Sequence, residues 1–124
     1  MAPICAAILN GSVVGSKGLP ANSVYAATKA AVRSFARTWT TDLKQRKIRV
    51  NVVSPGPIET EGLNQLLGSD EVGKARRESI SSVVPLGRTG KPEESANAVV
   101  FLASEDASFI TGAEFFVAGG FAQV

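Results

Sequence analysis

Two residues in this sequence are spaced for proton transfer. Tyr25 and Lys29 stand four apart, which on a helix puts both side chains on one face. A phenol ionises near ~10, too high to serve as a base at neutral pH. A neighbouring ammonium stabilises the phenolate and brings that value down. A tyrosine so tuned can give a proton to, or take one from, a carbonyl or alcohol oxygen. A serine hydroxyl aimed at the same oxygen would orient the substrate and share its developing charge. Ser12, closing Asn10-Gly11-Ser12, is the candidate. Each residue also has an ordinary explanation. Tyr and Lys four apart are common on exposed helix faces, and a serine after Asn-Gly is a common strand-end turn residue.

The rest of the composition narrows the chemistry. The sequence contains no histidine and one cysteine, Cys5. Serine–histidine triads, cysteine–histidine pairs and histidine or thiolate metal sites are therefore excluded, and no metal is expected. A lone cysteine allows no internal disulfide, which fits a reducing compartment and a cytoplasmic location. With 13 basic and 11 acidic residues spread along the chain, there is no basic stripe with interleaved aromatics, so no nucleic-acid partner is expected. No apolar run approaches the ~20 residues of a membrane span, so no membrane partner is expected either.

The elements that would position these residues can be read in order. Ile4 to Leu9 is an apolar run stopped by Asn-Gly-Ser, the pattern of a buried strand. Val13 to Pro20 is a loop, and Asn22 or Ser23 caps a helix. Val24, Ala27/Thr28, Ala31/Val32, Phe35, Trp39 and Leu43 recur at helical spacing, so this helix runs to about Arg46. Ile48 to Val53 is the second strand. Ser54-Pro55-Gly56-Pro57 ends it, because two prolines in three residues cannot continue a ladder. Gly62 to Val84 reads as one or two irregular helices broken near Gly68 or Gly73. Pro85 to Pro92 is a loop. Pro92 suits a first helical turn, and Ala96, Val99, Val100 and Ala103 form that helix's apolar face. Glu114 to Val117 is the third strand, ended by Gly119-Gly120.

The predicted fold is therefore α/β: residues 1–124 as one domain, a parallel sheet of about three strands with flanking helices. Ligands of such sheets bind beyond the carboxyl ends of the strands. Ser12, Tyr25 and the Pro55-Gly56 turn all fall at that edge.

Read in series, the motifs are jointly specific. They are Leu-Asn-Gly-Ser, Ser-Val-Tyr-Ala-Ala-Thr-Lys-Ala-Ala-Val and Ile-Arg-Val-Asn-Val-Val-Ser-Pro-Gly-Pro-Ile-Glu-Thr, then Pro-Leu-Gly-Arg-Thr-Gly-Lys-Pro-Glu-Glu, Phe-Leu-Ala-Ser, Thr-Gly-Ala-Glu and a late Gly-Gly. From about Ile8 to Val124 the chain resembles the short-chain dehydrogenase/reductase family, and specifically the C-terminal, catalytic half of its Rossmann-like fold. The resemblance implies that Ser12 positions a substrate carbonyl or alcohol and that Tyr25 is the general acid/base. It implies that Lys29 tunes Tyr25 and holds the nicotinamide ribose of NAD or NADP. Pro55, Gly56, Ile58 and Thr60 match the segment that packs on the nicotinamide end. Gly62 to Val84 matches the segment that covers the substrate. Ala118, where Asp is common, and Ser95, where a larger apolar residue is common, depart from the pattern.

The family's Gly-rich phosphate loop and the rest of its nucleotide-binding half have no counterpart in these residues. The expectation is an oxidoreductase in truncated form, acting on a small-molecule substrate with a weakened dinucleotide site. The exposed edge of the first strand, the long helix 24–46 and the last strand are expected to drive homo-oligomer formation, for instance by antiparallel pairing of two first strands. Two alternatives stand beside it. One is a small-ester hydrolase with Ser12 as nucleophile, Tyr25 as base and Lys29 as base-tuner; the other is a non-catalytic, oligomerising remnant.

Overall fold

The computed structural model describes residues 5–123. Strands β1 (Ala6–Asn10), β2 (Arg49–Pro55) and β3 (Glu114–Val117) form one sheet in the order β1-β2-β3. Both pairings are parallel, with Leu9 opposite Val52 and Val53 opposite Phe115. Helix α1 (Ser23–Asp42) joins β1 to β2; α2 (Glu61–Leu67), α3 (Glu71–Val83) and α4 (Pro92–Ala103) lie between β2 and β3. The chain is thus α/β, as its alternation of apolar runs and helical periods predicts. Ile4, the predicted start of the first strand, lies outside the described residues. No helix among the described residues is long and apolar enough to cross a membrane.

The sheet is covered on both faces, so β2, its central strand, is buried from Val50 to Ser54. On one face Ala36 of α1 packs with Val50 and Val52, joined by Ala7, Leu9 and Leu43. On the other, Leu102 of α4 packs with Val53 and Ala107, joined by Ile8, Ala98 and Phe115. Two of the three polar residues of β2 bond main-chain carbonyls and amides on the α4 and β3 side. Asn51 donates to the Ile110 carbonyl at 2.9 Å and accepts from the Ala113 amide at 3.0 Å. Arg49 donates to the Leu102 and Ser104 carbonyls at 2.8 and 3.1 Å, tying off the end of α4.

Three sequence expectations need correction, and the choice between Gly68 and Gly73 for the break in the insert is resolved. The strand does not stop at Val53 but runs to Pro55, which lies opposite Val117. In a parallel strand alternate residues bond to the same neighbour, and Val52 donates to the Ala113 carbonyl just before β3 and Gly56 to that of Val117. The N–H that Pro55 lacks would point the other way, past the end of β1, so no ladder bond is lost. The long helix ends at Asp42, followed by a 3-10 turn at Lys44–Arg46. Its inward side carries buried Ala36 and half-buried Ala26, followed by Leu43 just past its end, while Phe35 and Trp39 stack on each other at 5.3 Å on the exposed side. Small residues let the helix approach the sheet closely, and the bulky ones are turned outward. In α4 the buried side is Ala98 and Leu102, not Val99 and Val100, which are exposed. That helix is apolar nearly all round from Ala96 to Ala103, so periodicity alone does not choose a face. The break in the insert falls at Gly68 (φ 83°), whereas Gly73 sits inside α3, where a Cβ would run into the Gly68 carbonyl.

Candidate active site

The site is assembled at the carboxyl edge of the sheet. β1 ends at Asn10, and Gly11 carries the chain away with its amide on the Val53 carbonyl at 2.8 Å. Glycine is required there: a Cβ would lie 2.6 Å from Ser54 Oγ and 2.7 Å from a Val52 methyl. Ser12 follows, partly buried, and caps the 3-10 turn Val13–Gly15 by accepting from the Val14 amide at 3.4 Å. That turn lies flush on α1, because a Cβ at Gly15 would be 3.2 Å from the Lys29 carbonyl.

Asn22 occupies the capping position of α1, but its side chain donates to the Pro20 carbonyl at 3.0 Å and bonds no helix amide. Tyr25 stands in the first turn, half exposed. Lys29, one turn on, sends Nζ to the Asn10 carbonyl at 3.1 Å and lies 5.7 Å from the Tyr25 ring centroid. Nζ therefore bridges the tyrosine ring and the end of β1.

The opposite wall comes from the end of β2. Gly56 donates to the Val117 carbonyl at 3.0 Å, and a Cβ there would be 2.7 Å from that of Ala118. Ala118, read as a departure, is a buried core residue beside Val13 and Val14. Ile58 is pinned by a parallel bridge to Gly90. Thr60 caps α2, its Oγ1 accepting from the Leu63 amide at 3.1 Å. Its hydroxyl is thus committed to the helix as well as facing the cleft.

One open cleft of about 580 Å³ is lined by Ser12, Tyr25 and Lys29 on one side and by Pro55, Gly56, Ile58 and Thr60 on the other. All seven residues singled out from the sequence line it. Among the described residues, however, neither Ser12 nor Lys29 hydrogen-bonds the Tyr25 hydroxyl; each is engaged with main chain. Leu63 and Leu66 of α2 add an apolar wall, inside the segment expected to cover a substrate. Pro92 and Ser95 of α4 also line the cleft; the sequence marks Pro92 as a helix start and Ser95 as a departure from the family pattern but does not place either in the site, since nothing local shows that α4 begins beside β1. Ser95 Oγ is buried without a hydrogen-bond partner.

A smaller cavity of about 230 Å³ lies behind Ile58, against Leu86, Phe116 and the Arg88–Glu94 pair. Arg88 binds both carboxylate oxygens of Glu94, at 2.7 and 2.9 Å. Glu94 also accepts from the Lys91 amide at 2.8 Å. These bonds, the Arg88 contact first, hold its carboxyl down to about 2, from an ordinary 4.5. The pair fixes the loop entering α4 and is not among the residues lining the cleft of the proton-transfer trio.

The sequence family described as enoyl-(acyl carrier protein) reductase matches residues 1–122. The chain belongs to the short-chain dehydrogenase/reductase family. Among curated short-chain dehydrogenase/reductase relatives, it is 44% identical over 117 residues to the oxidoreductase asL5 of Sarocladium schorii, covering 94% of this chain and 45% of that one. It is 44% identical over 109 residues to the 3-oxoacyl-[acyl-carrier-protein] reductase FabG of Thermotoga maritima, covering 88% of this chain and 42% of that one. The aldohexose dehydrogenase of Thermoplasma acidophilum, solved ligand-free, superposes with a TM-score of 0.91 at 32% identity, over 98% of this chain and 49% of that one. The chain thus spans a little under half the length of the short-chain dehydrogenase/reductase proteins it matches, and its three-stranded sheet is part of their Rossmann-like fold.

Proposed function

We propose that this chain carries the proton-transfer portion of a nicotinamide-dependent oxidoreductase acting on a carbonyl or an alcohol. The single observation that carries the reading is the shared cleft. Ser12, Tyr25 and Lys29 face Pro55, Gly56, Ile58 and Thr60 across one opening at the carboxyl edge of a parallel sheet. In this reading the Tyr25 hydroxyl gives or takes the proton at the substrate oxygen. Ser12 holds that oxygen, and Lys29 supplies positive charge beside the phenol ring. NAD or NADP, when bound, supplies or accepts the hydride.

The residues present suit one end of such a cofactor. Pro55, Gly56 and Ile58 offer a flat, apolar wall, and Lys29 a donor opposite it. They do not suit its phosphates. The sequence has no Gly-x-Gly-x-x-Gly, so the main-chain cradle that such a loop and its helix N-terminus provide is not supplied here. Weak binding follows. Titration of NADH and NADPH, read by cofactor emission and by calorimetry, should give dissociation constants in the high-micromolar to millimolar range. No response at several millimolar of either would end the reading for this chain. A hydrolase would need the Ser12 hydroxyl to donate to Tyr25, and among the described residues Ser12 is seen only accepting from the Val14 amide.

The open edge of β1 supports a second proposal, self-association. Gly11 donates to β2 and Cys5 accepts from it. Ladder alternation then directs the amides and carbonyls of Ala6 and Ile8 to the unpaired side. A second copy's β1 is the partner that would satisfy them.

A further inference from the structure

Glu114 opens β3 and contributes nothing to the cleft wall, yet its carboxylate reaches three other elements. Oε2 accepts from Ser54 Oγ at 2.6 Å. Oε1 accepts from Ser16 Oγ at 3.3 Å and lies 3.5 Å from Arg33 Nε as an ion pair, with the Glu114 side chain only 10% exposed. Ser54 directly precedes Pro55. Ser16 closes the 3-10 turn that Ser12 opens. Arg33 stands one helical turn beyond Lys29 and two beyond Tyr25. One carboxylate therefore touches the segments that bring Ser12, Tyr25 and Lys29, and Pro55 and Gly56 to the cleft.

We infer that Glu114 is a positioning residue of this site, setting the spacing between the Ser12 turn, the Tyr25–Lys29 helix and the end of β2. For what the site does, this inference rests on the proposed function; for where the parts sit, it rests on the contacts alone. Ser54 is fully buried. Its hydroxyl is held between the Glu114 carboxylate and Gly11, where even a Cβ would come within 2.6 Å of it. A shift of Ser54 is thereby passed to Gly11 and Ser12. Arg33 is partly desolvated and stands near Arg37; burial and that neighbour lower its pKa, while Glu114 alone among its charged neighbours raises it. Without the carboxylate, Arg33 keeps its bond to the Gly112 carbonyl at 3.0 Å. The helix then stays packed on the sheet through Ala36 but loses the contact that couples its Arg33 turn, through Glu114, to Ser54 at the end of β2.

The chain's composition supplies a direct readout. Tyr25 is its one tyrosine and Trp39 its one tryptophan, and they stand on the same helix about 21 Å apart along its axis. Glu114→Gln and the milder Ser54→Ala, each made in the whole chain with isotope-labelled Tyr and Trp, are compared by NMR and circular dichroism. The expected result is an unchanged helical spectrum, displaced Tyr25 ring resonances and an unmoved Trp39 indole signal. A rise of about three- to tenfold in the NADPH dissociation constant should accompany it. Tyr25 and Trp39 moving together, or Tyr25 unmoved in Ser54→Ala while Glu114→Gln unfolds, would overturn the inference in favour of a purely structural ion pair. If the parent chain binds no NADPH, the proposed function fails, and the Tyr25 signal by itself still decides the role of Glu114.

Discussion

Lys29 Nζ donates to the Asn10 main-chain carbonyl at 3.1 Å, tying the helix that carries Tyr25 to the strand that leads into Ser12. The bond is at the surface, so its net worth is modest. Lys29→Met should lower stability by about 1 kcal/mol, read as a shift in the urea midpoint with an unchanged slope. A midpoint equal to that of the parent chain would show that this contact is not maintained in solution.

Two residues of α4 separate its buried from its exposed side. Leu102 is fully enclosed, and Leu102→Ala should cost about 2–5 kcal/mol. Val100 lies outward, and Val100→Ala should stay within about 0.5 kcal/mol of the parent. Equal losses for the two variants would mean that the packed face of α4 has been misassigned.

The Arg88–Glu94 pair makes a pH prediction with a definite sign. The folded-state carboxyl titrates near 2 rather than 4.5. Its stabilisation is therefore complete above about pH 4.5 and is lost as pH falls towards 2. Glu94 is partly exposed to solvent, so salt should weaken the effect. Glu94→Gln should flatten the acid limb of a stability–pH curve over that window. A variant curve parallel to the parent's would rule the pair out as an acid-sensitive contact.

The open strand edge predicts concentration-dependent association. Ala6→Pro removes an outward-facing amide while sparing the bonds from β1 to β2. Sedimentation analysis should find the parent chain associating and Ala6→Pro shifted towards monomer. A parent chain that sediments as a monomer at all concentrations would dispose of the edge-pairing proposal.

Much of this arrangement is legible before any coordinates. Val50, Val52 and Val53 mark the central strand, and Asn10-Gly11-Ser12 and Pro55-Gly56 mark where two strands give out. Tyr25 and Lys29 are placed together by helical spacing alone. The faces of α1 and α4 are harder. Ala36 packs on the sheet and Ala26 on the Val13–Val14 turn, where only small residues fit, and a hydrophobicity pattern weights Phe35 and Trp39 above them. Glu114 is harder still. A carboxylate at the head of a strand looks solvated, and only the fold brings Ser16, Arg33 and Ser54 around it. Pro55 shows the converse: its meaning depends on which neighbour strand has already ended.

The central position of β2 has a kinetic consequence. It pairs with β1 only after all of α1 has intervened, and with β3 only after α2, α3 and α4. Among the described residues no hairpin joins two strands of the sheet, so none of these strand pairs can zip from a local turn. Each pairing must first overcome the entropy of closing a long loop, which places refolding in the millisecond-to-second range typical of non-local topologies rather than among fast-folding helical chains. While those loops remain open, the valines of β2 are without cover, and the interval before closure is when this chain is most vulnerable to aggregation.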